Sequence, residues 1–190
     1  MPPAPLALTF HPVTPQRLPG LARFLASHGK FRYCACMRWR MASSAFSRST
    51  KEDRAGALER LVHEGMPIGV LAYLGEEPVG WCSVAPRESY AALERYRALP
   101  RIDARPVWSV VCFFVSVRIR RSGATLGLLK AAIYYAASQG AEIIEGYPVE
   151  PGPRLYTYMG SPATFRAAGF RDVTPRRQAR QVMRYFVKSD

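Results

Sequence analysis

The segment Arg120-Arg-Ser-Gly-Ala-Thr125 places two guanidiniums, two hydroxyls and one glycine in six residues. It stands between a long apolar run and a helical pattern. That order suits a phosphate. The first N–H groups of a helix lack internal partners, and the macrodipole adds roughly half a positive charge there. Gly123 lets the backbone approach a ligand closely. One glycine is too few for the dinucleotide pattern G-x-G-x-x-G, and no Gly-Lys-Ser/Thr follows to make a P-loop. The competing reading is an ordinary strand-to-helix turn with solvated arginines.

Two carboxylates and two cysteines are the other residues with chemical promise. Glu145 continues the apolar stripe of Ile143 and Tyr147, where partial desolvation would make it a stronger base than a solvated glutamate. The alternative is a strand-end glutamate paired with an arginine. Glu88, just past a hairpin strand, is a second candidate base, whereas Glu76 and Glu77 fall in a turn. Cys34-x-Cys36, with His28 upstream, invites a zinc reading. A one-residue spacing with no second pair suits a closed four-ligand site poorly, so no metal is expected. The three histidines show no catalytic pairing.

These residues need a scaffold, and the pattern supplies one. Leu6 to Val13 reads as a strand. Leu18, Leu21, Phe24 and Leu25 recur at helical spacing up to a stop at Gly29. Residues 31–47 look irregular. Ser49-x-x-Glu52 and Thr50-x-x-Asp53 are overlapping capping patterns for a helix reaching about His63. Ile68 to Leu74 and Val79 to Ala85 make a hairpin, and Ser89 to Arg97 a short polar helix. Val107 to Val117 is apolar on both sides, hence a central strand. After the arginine turn comes a helix with Leu126, Leu129, Ile133 and Ala136 on one face, ending at Gly140. Glu142 to Tyr147 is a strand, Pro162 to Ala168 a helix stopped by Gly169, and Phe170 to Val173 and Gln181 to Val187 are the last strands. The fold class is α+β with a mixed sheet.

At 190 residues, 48% hydrophobic and 22% charged, the chain reads as one soluble domain. Within it, residues 1–66 hold the early helices, 67–147 the hairpin, central strand and turn, and 148–190 the last helix and strands. No apolar run reaches membrane-spanning length and no signal peptide is evident, so no membrane association is expected. The four cysteines are too few for a disulfide scaffold, which with their apolar settings suggests a reduced cytoplasmic protein. The net charge of +13 comes from 27 Lys and Arg against 14 Asp and Glu. It admits a nucleic-acid-binding domain. Arg184, however, lies between apolar Met183 and Tyr185 on a strand, so nucleic acid is not the expected partner. A homodimer is compatible with the sequence.

Arg120-x-x-Gly123-x-Thr125 after a buried strand resembles the acyl-CoA-binding motif of the GNAT superfamily of N-acetyltransferases, Gln/Arg-x-x-Gly-x-Gly/Ala. Phe165-Arg-Ala-Ala-Gly169-Phe170 resembles the family's Tyr-x-x-x-Gly-Phe ending. The resemblance covers roughly Ile68 to Val187. It implies a mostly antiparallel sheet with helices on both faces and parallel central strands that splay near the thioester. It also implies transfer of an acetyl group from acetyl-CoA to an amine of a small molecule or protein. On this resemblance Arg120, Arg121, Ser122, Gly123, Ala124 and Thr125 hold the pyrophosphate, while Phe113, Phe114, Val115 and Val117 carry the pantetheine arm. A backbone N–H near Phe114 or Val115 meets the thioester oxygen. Glu145 serves as base. Thr125 replaces the family's small residue, and its hydroxyl could itself bind a phosphate oxygen. Phe165 stands where many members place the tyrosine that protonates the thiolate, which leaves Tyr158 or Tyr156 for that task. Residues 34–40, with Met37 and Trp39, form a wall of the acceptor pocket. The positive charge favours neutral or acidic amines over polycations. The missing tyrosine keeps a non-catalytic acyl-CoA-binding or regulatory module as an alternative, beside the nucleic-acid-binding domain.

Overall fold

The computed structural model describes residues 7–27, 31–152 and 156–187; His28 and the stop expected at Gly29 lie outside them. Strand β1 (Leu8–Pro12) leads to α1 (Leu18–Ala26), whose Leu18, Leu21, Phe24 and Leu25 are buried as their spacing requires. The stretch expected to be irregular contains two short helices, α2 (Phe31–Cys34) and α3 (Ser43–Arg48). Neither is long enough to show a helical period in sequence. Thr50, not Ser49, caps α4 (Lys51–His63). Its hydroxyl accepts from the Asp53 N–H at 3.1 Å while Asp53 Oδ2 accepts from the Thr50 N–H at 2.8 Å.

β2 (Gly69–Leu74) and β3 (Glu77–Pro86) form the hairpin. A long connection with a 3-10 turn at Arg87–Ser89 and α5 (Ala91–Glu94) then leads to β4 (Trp108–Val115). After a 3-10 turn at Val117–Ile119 come α6 (Ala124–Ser138) and β5 (Ile143–Gly146). A 3-10 turn at Thr157–Met159 precedes α7 (Pro162–Ala167), and β6 (Arg171–Asp172) and β7 (Met183–Phe186) close the chain.

The strands form one sheet in the order β1-β2-β3-β4-β5-β7-β6, antiparallel except for β4 beside β5. Alternate residues of each strand serve opposite faces. Val70, Ala72, Val84 and Val110 pack with Leu128, Leu129 and Ala132 of α6, while Leu71, Trp81 and Phe114 pack with α1 and α4. The sheet-facing stripe of α6 is Ala124, Leu128, Leu129, Ala132 and Ala136; Leu126 and Ile133 are only partly buried. The alanines let the helix lie close to the sheet, so the bulkier residues move to its flanks.

β4 and β5 pair only through Trp108, Ser109 and Val110 with Ile144, Glu145 and Gly146. Beyond Val110 the two strands part, which is the expected splay. Phe165 sits behind the divergence and is fully buried. Its ring lies 6.1 Å from that of Phe113 and 4.8 Å from that of Phe170. This overturns the expectation that Phe165 faces the cofactor sulfur: the ring is core. A Cβ on Gly146 would stand 2.0 Å from Phe165 Cε1. Gly146→Ala should therefore displace the ring and lower the unfolding free energy by about 1–3 kcal/mol, read from urea melts.

Candidate active site

The divergence of β4 from β5 opens a cleft of about 540 Å³. Phe113, Phe114 and Val115 line it from β4, Arg120 and Thr125 from the turn into α6, and Tyr158, Gly160, Ser161 and Thr164 from the segment after β5. The turn has the form that its sequence suggests. Gly123 precedes α6 at φ 84°, a left-handed conformation that glycine takes without a Cβ penalty. The first helical bond runs from the Gly127 N–H to the Gly123 carbonyl, and no side chain caps the N-terminus. The N–H groups of the first turn thus stay outside the helix ladder at the end flanked by Arg120 and Thr125.

Not every residue expected at the cofactor presents a side chain to the cleft. Arg121, itself at φ 66°, shapes the turn, and Ser122 donates its hydroxyl proton to the Ile119 carbonyl at 2.7 Å. Ala124 is buried in the core. Val117 is 67% exposed and does not line the cleft. It was expected to extend the strand, but β4 stops at Val115. Ser116 then donates its N–H to the Val79 carbonyl, and the chain turns into the 3-10 segment.

Tyr158 brings a hydroxyl-bearing ring to the cleft. Burial, aided by the neighbouring Cys112 and Tyr156, pushes its hydroxyl well above the ordinary tyrosine range. Its proton therefore stays on at neutral pH, and the group is a standing donor.

Glu145 does not reach the cleft. Only 1% exposed, it accepts from Arg87 Nη1 and from the Tyr147 hydroxyl at Oε1, at 2.8 and 2.7 Å, and from Arg184 Nε at Oε2, at 2.7 Å. The arginine-paired alternative is what the fold contains, and a carboxylate with both oxygens engaged by guanidiniums has no free lone pair facing an acceptor amine. Arg184 also reaches Asp103, whose carboxyl its hydrogen bonds hold well below the usual carboxylate range. Arg87 in turn binds Glu94 at 2.6 Å and the Leu99 carbonyl at 2.7 Å. The network ties the 87–106 connection to β5 and β7. Glu88, the second candidate base, pairs with Arg101 on the surface at 2.8 Å. Arg87 and Asp103 escaped the sequence reading, and Arg184 was read only as a charge between apolar strand neighbours. The one available signal was Arg184, a charge inside an apolar strand that must face an opposite charge.

The strand order, the parallel pair that parts and the arginine–glycine turn at the parting form one constellation, and sequence comparison agrees with it. Residues 33–157, more than half of the chain, match the model of the acetyltransferase (GNAT) family. The chain belongs to the GNAT family. A search of curated proteins by sequence gives no match. Among solved structures, the ribosomal-protein-alanine N-acetyltransferase from Brucella melitensis is similar at 17% identity and a TM-score of 0.53, over 94% of this chain and 99% of that one. The aminoglycoside acetyltransferase AAC(6')-Ib, determined with coenzyme A, is similar at 18% identity and 0.54, over 95% of both chains. The GCN5-related N-acetyltransferase from Kribbella flavida is similar at 16% identity and 0.52, and there 87% of this chain spans only 33% of the other. These likenesses establish a shared fold.

Beyond the cleft of this GNAT chain lies an aromatic cluster. Tyr158 stands 5.9 Å from Tyr156, ring to ring, and Tyr156 stands 5.8 Å from Trp39 and 6.2 Å from Tyr96. Of residues 34–40, expected as a pocket wall, Trp39 is buried in this cluster and Met37 is buried against α1 and α4, and neither lines the cleft. The cysteines here are thiols: burial and Cys36 push Cys34 up to about 11, and Cys36 together with burial raises Cys112. Among the described residues no group of three or more His, Cys, Asp or Glu is placed to hold a metal ion, and no helix is long and apolar enough to cross a membrane.

Proposed function

We propose that the chain transfers an acetyl group from acetyl-CoA to a primary amine. The observation that carries this reading is the cleft at the β4–β5 divergence, which joins Arg120, Thr125 and the α6 N-terminus to the end of β4 and the Tyr158 ring. The residues fit an acyl-CoA. A guanidinium, a hydroxyl and the first-turn N–H groups of α6 suit a pyrophosphate. The edge of β4 that β5 leaves suits an amide-bearing arm added as a strand would be. Acetyl-CoA supplies an acyl group activated as a thioester. The chain supplies position, a backbone donor near Phe114 or Val115 for developing negative charge, and the Tyr158 Oη–H proton for the sulfur. No carboxylate or histidine lines the cleft among the described residues, so the acceptor loses its proton to solvent. That same lack favours the second reading, a module that binds acyl-CoA without turnover.

Arg120→Glu tests the site. Arg120 is exposed, so the fold should not suffer. The reversed charge should weaken acetyl-CoA binding by about tenfold or more and shrink the rise in Tm that acetyl-CoA gives the parent protein. An unchanged rise would remove the turn from the site. Thiol release on adding amines separates the readings: binding without release under every amine favours the module.

A further inference from the structure

The geometry points to an acceptor amine that carries a carboxylate, recognised by Arg38 and Arg180 on the aromatic wall beside Tyr158. This inference rests on the acetyl-transfer reading and names the substrate class for it. The Arg180 guanidinium lies 5.1 Å from the centre of the Tyr156 ring, and the Arg38 guanidinium lies 5.7 Å from that of Trp39. Trp39 and Tyr156 touch, and Tyr156 abuts the cleft-lining Tyr158. The two guanidiniums therefore flank one aromatic cluster, which abuts the cleft at Tyr158. Both charges bear on the Tyr156 hydroxyl, opposing the upward push of its Tyr96 hydrogen bond and its burial.

Neither guanidinium has a carboxylate partner among the described residues. The ion pairs of this region belong to other arginines. Glu94 is held by Arg87 and Arg101, Glu145 by Arg87 and Arg184, and Asp103 by Arg105 and Arg184. Arg180 donates to the Tyr147 carbonyl and to Met159 Sδ, both at 3.4 Å, and Arg38 rests between Trp39 and Phe46. Two partly exposed positive charges thus stand uncompensated where an acceptor must enter.

Aromatic rings attract cations through their faces. Here guanidiniums already stand over Trp39 and Tyr156, so a polycationic acceptor would meet like charge. A carboxylate is the complementary group, because a guanidinium presents a planar fork of donors to it. Trp39 is buried, but the partly exposed Tyr156 and Tyr158 rings suit a flat apolar body. An aromatic α-amino acid joins all three features, with amine and carboxylate on one carbon.

The test uses matched probes. Thiol release from acetyl-CoA is measured with L-phenylalanine and with phenethylamine, which lacks only the carboxylate. The amino acid should be used with kcat/KM about tenfold or more higher, chiefly through a lower KM. Arg38→Gln should bring the ratio of the two toward one. Arg180→Gln should do the same, but Arg38 is the less tied to the fold. A second arm needs no turnover. Phenylacetate should raise the Tm of the CoA-loaded protein, phenylacetamide should not, and the rise should vanish in Arg38→Gln. Equal use of the two amines, or no effect of phenylacetate, overturns the carboxylate inference while leaving acetyl transfer intact. No thiol release with any amine, with acetyl-CoA still raising Tm, overturns acetyl transfer instead; the phenylacetate arm then decides whether the anion site exists.

Discussion

Glu145→Ala should cost about 3–5 kcal/mol of stability, the range for breaking a buried ion pair by removing one partner. Arg87, Glu145 and Arg184 are each no more than 2% exposed. Deleting the carboxylate leaves two guanidiniums in the interior, with only the partly exposed Glu94 and Asp103 to balance them. Tyr147 also loses the acceptor of its hydroxyl proton, although Ser109 remains 2.7 Å away. Glu145→Gln keeps the volume and one acceptor oxygen but not the charge, so its loss should be smaller yet of the same sign. Equilibrium urea unfolding gives the number. A pH–rate profile gives the role. If Glu145 only positions β5, the fraction of Glu145→Gln that stays folded should keep the parent's profile. Parent-like stability, with activity lost near neutral pH and regained in alkali, would show that Glu145 is the base after all.

The sheet was legible because its signals are local. The apolar run at 107–117 could only be a central strand, and the hairpin and the capping box are written in a few adjacent residues. The turn at Arg120 to Thr125 was legible for the same reason: strand, glycine and helix follow one another, and the backbone there needs no distant partner. The fate of Glu145 was not legible. Its two guanidiniums come from residues 58 and 39 positions away, and only the strand order β5-β7 places Arg184 opposite it in register. A carboxylate on an apolar stripe reads alike whether it faces a cleft or a buried arginine. Phe165 shows the same limit. Its place in the motif pointed to the cleft, but the close approach of Gly146 and Gly160 gives the ring a core seat that sequence spacing does not reveal. Arg38 and Arg180 lie far apart in the chain and flank one aromatic cluster only because Trp39, before α3, packs against Tyr156, after β5.

Tyr158→Phe should lower kcat by about 10²-fold, the scale of one positioned proton donor, and leave the KM for acetyl-CoA nearly unchanged. The ring stays to fill its side of the cleft, so the loss isolates the hydroxyl. Because burial keeps that hydroxyl protonated through neutral pH, the parent's rate should show no downturn from Tyr158 in that range. On the proposed acetyl-transfer reading, the hydroxyl would donate to the sulfur of the leaving thiolate. A free thiol ionises at about 8.5, so some leaving ability remains without the donor, which is why the loss is not total. Phe165→Tyr is the matching control. It restores the family's tyrosine at the motif position, yet its hydroxyl would enter a core of Phe113 and Phe170 rather than the cleft. It should lose about 1–3 kcal/mol of stability and gain no rate. Thiol release at saturating acetyl-CoA and amine, with urea melts on both variants, separates the two positions. Wild-type kcat in Tyr158→Phe would assign the proton to solvent, and a stable, faster Phe165→Tyr would mean that the ring turns outward into the cleft.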